Sequence, residues 1–132
     1  MENFLKKIVQ GSSFTPPGLC EQALKENFTE AINVEWINKE EYYEAIFYKN
    51  NIEHIALIDR NGNLLEYRQN IPKDFLPEQI KTIAQSKGEI MNSVLKNKGN
   101  NIEYEIILKD QSLKRYLVLF SEIGVIKDEK KL

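Results

Sequence analysis

Tyr43-Glu44-Ala45-Ile46-Phe47 and, sixty-one residues further on, Tyr104-Glu105-Ile106-Ile107-Leu108 decide the reading of this chain. Both stretches are built from aromatic and β-branched residues with a glutamate at the second place, the composition of a strand. Working outward, each is followed by a second β-rich run, Ile52 to Ile58 and Leu113 to Phe120. Each is preceded by another, Ala31 to Ile37 with Trp36 inside it, and Glu89 to Leu95. Asp59-Arg60-Asn61-Gly62-Asn63 reads as a hairpin turn of the Asn-Gly type leading into Leu64 to Tyr67. Its counterpart is Glu122-Ile123-Gly124, leading into Val125 and Ile126. Ile123 stands where Asp or Asn is expected, which predicts a different second turn.

Helices stand outside the strands. Thr15-Pro16-Pro17-Gly18 is a helix-start signal, after which Leu19, Cys20, Ala23, Leu24 and Phe28 share one stripe at helical spacing. Leu76-Pro77 opens a second helix, with Ile80, Ile83 and Ala84 on its stripe and Gly88 as a stop. The expected fold class is α+β: a tandem repeat of one helix plus about four antiparallel strands. A unit of roughly 60 residues buries little surface alone, so both copies are expected to share one continuous antiparallel sheet with the helices on one face. The expected boundaries are an arm over 1–14, a first repeat over 15–70 and a second over 71–132, within one globular domain. Lys127 to Leu132 reads as a solvated charged tail.

The chain has 132 residues, 42% hydrophobic and 29% charged, with a net charge of -2 that offers nucleic acid no basic field. No apolar run approaches the roughly 20 residues of a membrane helix. One cysteine excludes an internal disulfide and one histidine excludes His-rich metal sites. Lys6 and Lys7 interrupt the apolar start, so no secretory signal is read. The compartment is therefore periplasmic or secreted if a leader has been removed, and cytoplasmic otherwise.

The order of Ala31-Ile32-Asn33-Val34-Glu35-Trp36, Tyr43-Glu44-Ala45-Ile46-Phe47, Ile58-Asp59-Arg60-Asn61-Gly62 and Leu76-Pro77-Glu78-Gln79-Ile80 resembles the PepSY-like proteins with a β-lactamase-inhibitor-protein-like fold, described mainly from Bacteroidetes. The resemblance spans roughly Pro17 to Ile126. It implies a tandem helix-plus-four-strand repeat, a periplasmic or secreted home, no established catalytic residues, and a protein-binding or inhibitor-like role by analogy with the fold alone.

Chemistry is sparse. Cys20 and His54 are the only candidates for a nucleophile and base near neutral pH. A thiol packed in the first helix and a partly exposed strand histidine are the expectation instead. Glu40-Glu41 and the pair Glu103 and Glu105 are carboxylates expected to face water rather than work as an acid–base pair. Asp59 to Asn63 lacks the ligand ladder and distal glutamate of a calcium loop. The chain reads as a non-enzyme that needs no cofactor and no metal.

What remains is the sheet face away from the helices. With Tyr43, Ala45 and Phe47 inward, Tyr42, Glu44, Ile46 and Tyr48 point out; with Tyr104, Ile106 and Leu108 inward, Glu103, Glu105, Ile107 and Lys109 point out. Ile55 and Leu57, with Tyr116 and Val118, are expected on the same outer side. An apolar centre ringed by Tyr and Glu is how a contact surface is built. The candidate partner-binding residues are therefore Tyr42, Glu44, Ile46, Tyr48, Ile55, Leu57, Glu105 and Ile107, with Glu53 on the rim. The expected function is a binding module for a protein or peptide, inhibitor-like by analogy. The alternative is a structural homodimer closed by that face. Trp36 is expected to be buried through its alternation with Val34.

Overall fold

The computed structural model describes residues 14–132, so the expected arm lies outside the described residues except for Phe14. Helix α1 (Gly18–Asn27) begins after Pro17, whose carbonyl accepts the Cys20 N–H at 2.9 Å. It ends where the Phe28 N–H closes on the Leu24 carbonyl at 2.8 Å. Strands β1 (Ile32–Asn38), β2 (Tyr42–Lys49), β3 (Ile52–Asp59) and β4 (Leu64–Asn70) follow. A short 3-10 turn (Lys73–Phe75) leads to helix α2 (Glu78–Lys87) and then to β5 (Glu89–Lys98), β6 (Asn101–Lys109), β7 (Arg115–Ser121) and β8 (Ile126–Lys131).

The expected fold class needs correction. The eight strands form one antiparallel sheet in the order of the chain, and 52% of the described residues are strand against 19% helix. The fold is mostly β, and a tandem helix-plus-strand repeat of the α+β class does not describe it. The physical reason lies in helix length. Each helix has ten residues, about 15 Å, and buries only Cys20, Ala23 and Leu24 in α1 and Ile80 and Ala84 in α2. The strands supply the larger part of the apolar surface. Within the expected helical stripe, Leu19 is 54% exposed rather than buried.

Two compact units divide the chain, Met1–Tyr67 and Arg68–Leu132. In the first, α1 and Phe28 pack with Tyr43, Ala45, Phe47, Ala56 and Ile58, and the half-buried Trp36 and Tyr67 pack against that cluster. The register pairs Tyr43 with Ile58, Ala45 with Ala56 and Phe47 with His54, so these six residues form one buried side of β2 and β3. In the second, Leu76, Ile80 and Ala84 pack with Tyr104, Ile106, Leu108, Val118 and Phe120. Ser93 is the buried polar group there; its hydroxyl donates to the Ile71 carbonyl at 2.7 Å, which removes the cost of an unpaired group.

Turn chemistry fixes the register. Asn50 and Asn51 both take positive φ, 54° and 63°, giving β2 and β3 a two-residue turn whose twist matches the strands. Asp59–Asn63 forms the hairpin turn between β3 and β4. The Asp59 N–H donates to the Asn63 carbonyl and the Gly62 N–H to the Asp59 carbonyl, with Gly62 alone left-handed at φ 84°. The Asp59 carboxylate accepts the N–H groups of Asn61 and Asn63, both at 2.9 Å, and the Asn63 side-chain amide. Asp110–Lys114 closes in the same pattern, with Leu113 left-handed at φ 65°. The Ser121–Val125 turn was expected to differ, yet it closes the same way. The Ser121 hydroxyl accepts the Val125 N–H, and Gly124 holds φ 92°. A hydroxyl three residues before the glycine supplies the acceptor that an Asp supplies elsewhere.

The outermost strands differ in character. β1 carries an irregularity between Ile32 and Glu35, with Asn33 at φ 55°. β8 is exposed at every position. It includes Lys127 to Lys131, read above as a tail; Glu129 pairs with Val118 and Lys131 with Tyr116. A run without apolar residues gives no strand signal, although charge is how an edge strand is guarded.

Candidate functional site

Alternation from the buried sides of the strands defines the outer faces. In the first unit, Ile46 lies opposite Ile55 and Glu44 opposite Leu57, while Tyr48 lies opposite Glu53 and Tyr42 opposite Asp59. All eight are half-buried except Tyr48, which is 41% exposed. The Tyr48 hydroxyl donates to the Glu53 carboxylate at 3.4 Å. β1 extends the face: Glu35 lies opposite Ile46 and Ile37 opposite Glu44. The predicted residues Tyr42, Glu44, Ile46, Tyr48, Ile55 and Leu57 thus share one face, and Ile37, which lay outside the prediction, joins them. Its signal was available, since Ile37 stands one place from Trp36 and alternates against it.

The second unit presents its own outer face. Ile107 lies between Asn92 of β5 and Leu117 of β7, and Glu105 between Val94 and Leu119. Here the prediction for β7 is one residue out. Val118 is fully buried opposite Ile106, and Tyr116, opposite Leu108, packs against the core; Leu117 and Leu119 take the outer positions. The pairing of Tyr104 with Phe120 sets that parity. Glu103 and Glu105 point outward together as expected, and each is neutralised. Lys96 pairs with Glu105 at 3.4 Å, Lys127 pairs with Glu103, and Lys109 stands 4.0 Å from Glu89.

The two reactive side chains sit in the first unit, on the buried side. Cys20 donates its thiol to the Asp59 carbonyl at 3.2 Å, and burial, aided by the Asp59 charge, pushes its pKa up. His54 is buried rather than partly exposed, because it shares the parity of Ala56 and Ile58 on β3. It stacks on Phe47 and on Tyr67, and its Nδ1 lies 2.9 Å from the Tyr67 hydroxyl. Burial is the main cause that lowers its pKa. Asp59, which accepts the Cys20 thiol, is five places along β3 from His54, roughly 17 Å at strand spacing, so thiol and imidazole do not meet. Trp36, opposite Ala45, is on this buried side too. It helps wall an open cleft of about 500 Å³ with Leu24, Phe28 and Val34, beside Glu21 and Lys25. Nothing in the sequence patterning marked that cleft. Among the described residues, no three or more His, Cys, Asp or Glu side chains come together to hold a metal, and no helix is long and apolar enough to cross a membrane.

Each unit thus has one packed sheet face and one half-exposed face that carries apolar side chains. Solved structures share the fold. The chain is similar to a DUF2874 family protein from Bacteroides uniformis (TM-score 0.81, 20% identity, 89% of this chain and 90% of that one). It is similar to a BLIP-like protein from Bacteroides fragilis (TM-score 0.79, 23% identity, 90% and 89%). It also resembles a candidate periplasmic protein from Bacteroides eggerthii (TM-score 0.80, 18% identity, 89% and 90%). No family model matches the chain, and no curated protein does. At these identities the likeness shows the fold, which is BLIP-like. None of the three is described as an enzyme.

Proposed function

We propose that the protein is a non-enzymatic binding module that holds a protein or peptide on its outer sheet face. The observation that carries this reading is the half-exposed pair Ile46 and Ile55, flanked by Leu57 and Ile37 and edged by Tyr42, Tyr48, Glu44 and Glu53. An apolar centre with a polar rim is the anatomy of a protein contact surface. In the second unit, Ile107 with Leu117 and Leu119 offers a further apolar patch, with Glu105 beside it. The burial of Cys20 and His54 supports a structural role for both. The BLIP-like neighbour from Bacteroides fragilis supports a protein ligand, and the ordered motifs support kinship with PepSY-like proteins. The Bacteroides eggerthii neighbour supports a periplasmic or secreted home.

A photo-crosslinking residue at Tyr48, compared with one at the exposed Val125, tests the reading in the native host. Adducts are expected from position 48 alone, and Ile55→Asp removes them while circular dichroism stays unchanged. Adducts that persist in that variant, or that form equally at position 125, defeat the proposal. Unfolding of Ile55→Asp would place Ile55 in the core and defeat it as well. A mass that doubles with concentration, and is restored to monomer by the same substitution, would assign the face to a homodimer instead.

A further inference from the structure

On its packed side, the first unit is not covered out to the margin of the sheet. Helix α1 stands over the end of β3, where the Cys20 thiol meets the Asp59 carbonyl and a Cβ at Gly62 would come within 2.9 Å of the Leu19 carbonyl oxygen. β1 lies two strand spacings away, about 10 Å, whereas a helix reaches only about 5–6 Å from its axis. The inner side of β1 is therefore left as the open cleft of about 500 Å³ walled by Leu24, Phe28, Val34 and Trp36. Trp36 is half-buried there and Val34 is 37% exposed. Glu21 and Lys25 bring one charge of each sign to the cleft, so apolar fit rather than charge chooses what covers it.

We infer that the chain's own N-terminal segment covers this cleft, seating Phe4, Leu5, Ile8 and Val9 against Leu24, Val34 and Trp36. Phe14, the first described residue, stacks on Tyr43 at 5.7 Å and packs against the core of the first unit. Tyr43 pairs with Asn38 of β1 and stands two places along β2 from Ala45, the partner of Trp36, about 7 Å at strand spacing. The segment is thus tethered beside the cleft, and the stretch from Val9 to Phe14 can span up to roughly 17 Å. In the sequence, Phe4, Leu5, Ile8 and Val9 are apolar while Lys6, Lys7 and Gln10 are polar, a spacing that gathers the apolar four on one side of a helical turn. Gly11-Ser12-Ser13, a turn signal, stands between them and Phe14. A tethered segment meets its site at an effective concentration of about millimolar, so it prevails over a free partner or a second copy of equal fit at lower concentration. It completes the packed side of the unit and leaves the outer sheet face to the partner proposed above.

The test replaces Phe4 of the full chain with a photo-crosslinking phenylalanine analogue. Irradiation of the purified protein is expected to give intrachain adducts on α1 and β1 between Glu21 and Trp36, and none on the outer-face residues Ile55 and Leu57. Leu5→Asp with Ile8→Asp should abolish those adducts while circular dichroism stays unchanged. Trp36, the one tryptophan, gives a second readout. In that double variant its emission should move to longer wavelength and acrylamide should quench it faster. Gln10→Asp with Ser12→Asp, an equal change of charge at polar positions, should leave both as in the parent. Should the apolar double variant misfold, Leu5→Ser with Ile8→Ser serves in its place, with the same shift expected. Adducts that map elsewhere or fail to form, or Trp36 emission that does not move, overturn the inference. Mixing isotopically labelled and unlabelled chains separates the occupants, because adducts joining the two would assign the cleft to a second copy's segment and overturn the intrachain one.

Discussion

Gly88 and Gly18 predict opposite outcomes for the same chemical change. Gly88 follows α2 and precedes β5, and its φ of 168° is extended backbone open to any residue, so strain in φ plays no part. Space decides. A Cβ at Gly88 would stand 2.6 Å from the Lys109 carbonyl oxygen and 3.1 Å from its carbon. Both atoms are main chain, held by the pairing of Glu89 with Lys109, so no flexible side chain can swing aside. Reaching ordinary contact requires the strand end to move by roughly half an ångström or more, an overpacking cost of about 2 kcal/mol. For a domain of this length that lowers Tm by roughly 6–10 °C. Gly18 opens α1 with nothing within 4 Å of its would-be Cβ. Gly18→Ala is therefore expected to stabilise by about 0.5 kcal/mol through helix propensity and a less free unfolded chain. Thermal and urea unfolding of both variants, with m-values checked for constancy, measures the pair. Gly88→Ala as stable as the parent would refute the close approach, and a loss from Gly18→Ala of the same size would show that glycine replacement, not space, sets the cost.

Leu113 holds φ 65° where Gly62 and Gly124 serve in the matching turns, and it is 72% exposed. Leu113→Gly should raise stability by about 0.5–1 kcal/mol, as removal of left-handed strain outweighs glycine's added freedom; a lower urea midpoint would contradict this. His54, the single histidine, has its pKa lowered by burial below the ordinary 6.5. The unfolded chain therefore binds a proton before the folded one does. The His54 contribution is complete above pH 6.5 and is lost as pH falls from there toward the folded value. The urea midpoint should drop from pH 7 to pH 5.5 in the parent and drop less in His54→Phe; equal slopes would refute it. Ser93→Ala, which leaves the Ile71 carbonyl without its hydroxyl donor, should cost about 1–2 kcal/mol by equilibrium unfolding, and an unchanged midpoint would show that another donor replaces it.

Much of the sheet was legible because β2, β3 and β6 alternate cleanly: Tyr43, Ala45 and Phe47, or Tyr104, Ile106 and Leu108, leave their neighbours outside. β7 was not, since Tyr-Leu-Val-Leu-Phe is apolar at every place from 116 to 120 and periodicity has nothing to grip. Only pairing with β6 settles that Val118 is inside. β8 failed for the converse reason, with no apolar residue from Lys127 to Lys131. His54 was misplaced although Ile55 and Leu57 already fixed its parity; a histidine's polarity outweighed the pattern. The fold class leaned too far toward helix because Pro and Gly signals mark where a helix starts and stops, not how little of the core ten residues supply. Ile37 and Leu117 were missed from the outer face, the first for standing beside a conspicuous tryptophan and the second with the β7 register.

The charged last strand and the irregular first one also set how many chains can join. A sheet assembled hairpin by hairpin offers unpaired main-chain groups at both margins, and like molecules could stack there into a filament without end. At one margin, the exposed Lys130 and Lys131 carry ammonium groups that an incoming strand must strip of water. At the other, the break between Ile32 and Glu35 spoils the straight run of donors and acceptors. Neutralising those lysines by acetylation should make fibre formation easier, with a rise in thioflavin fluorescence as the sign.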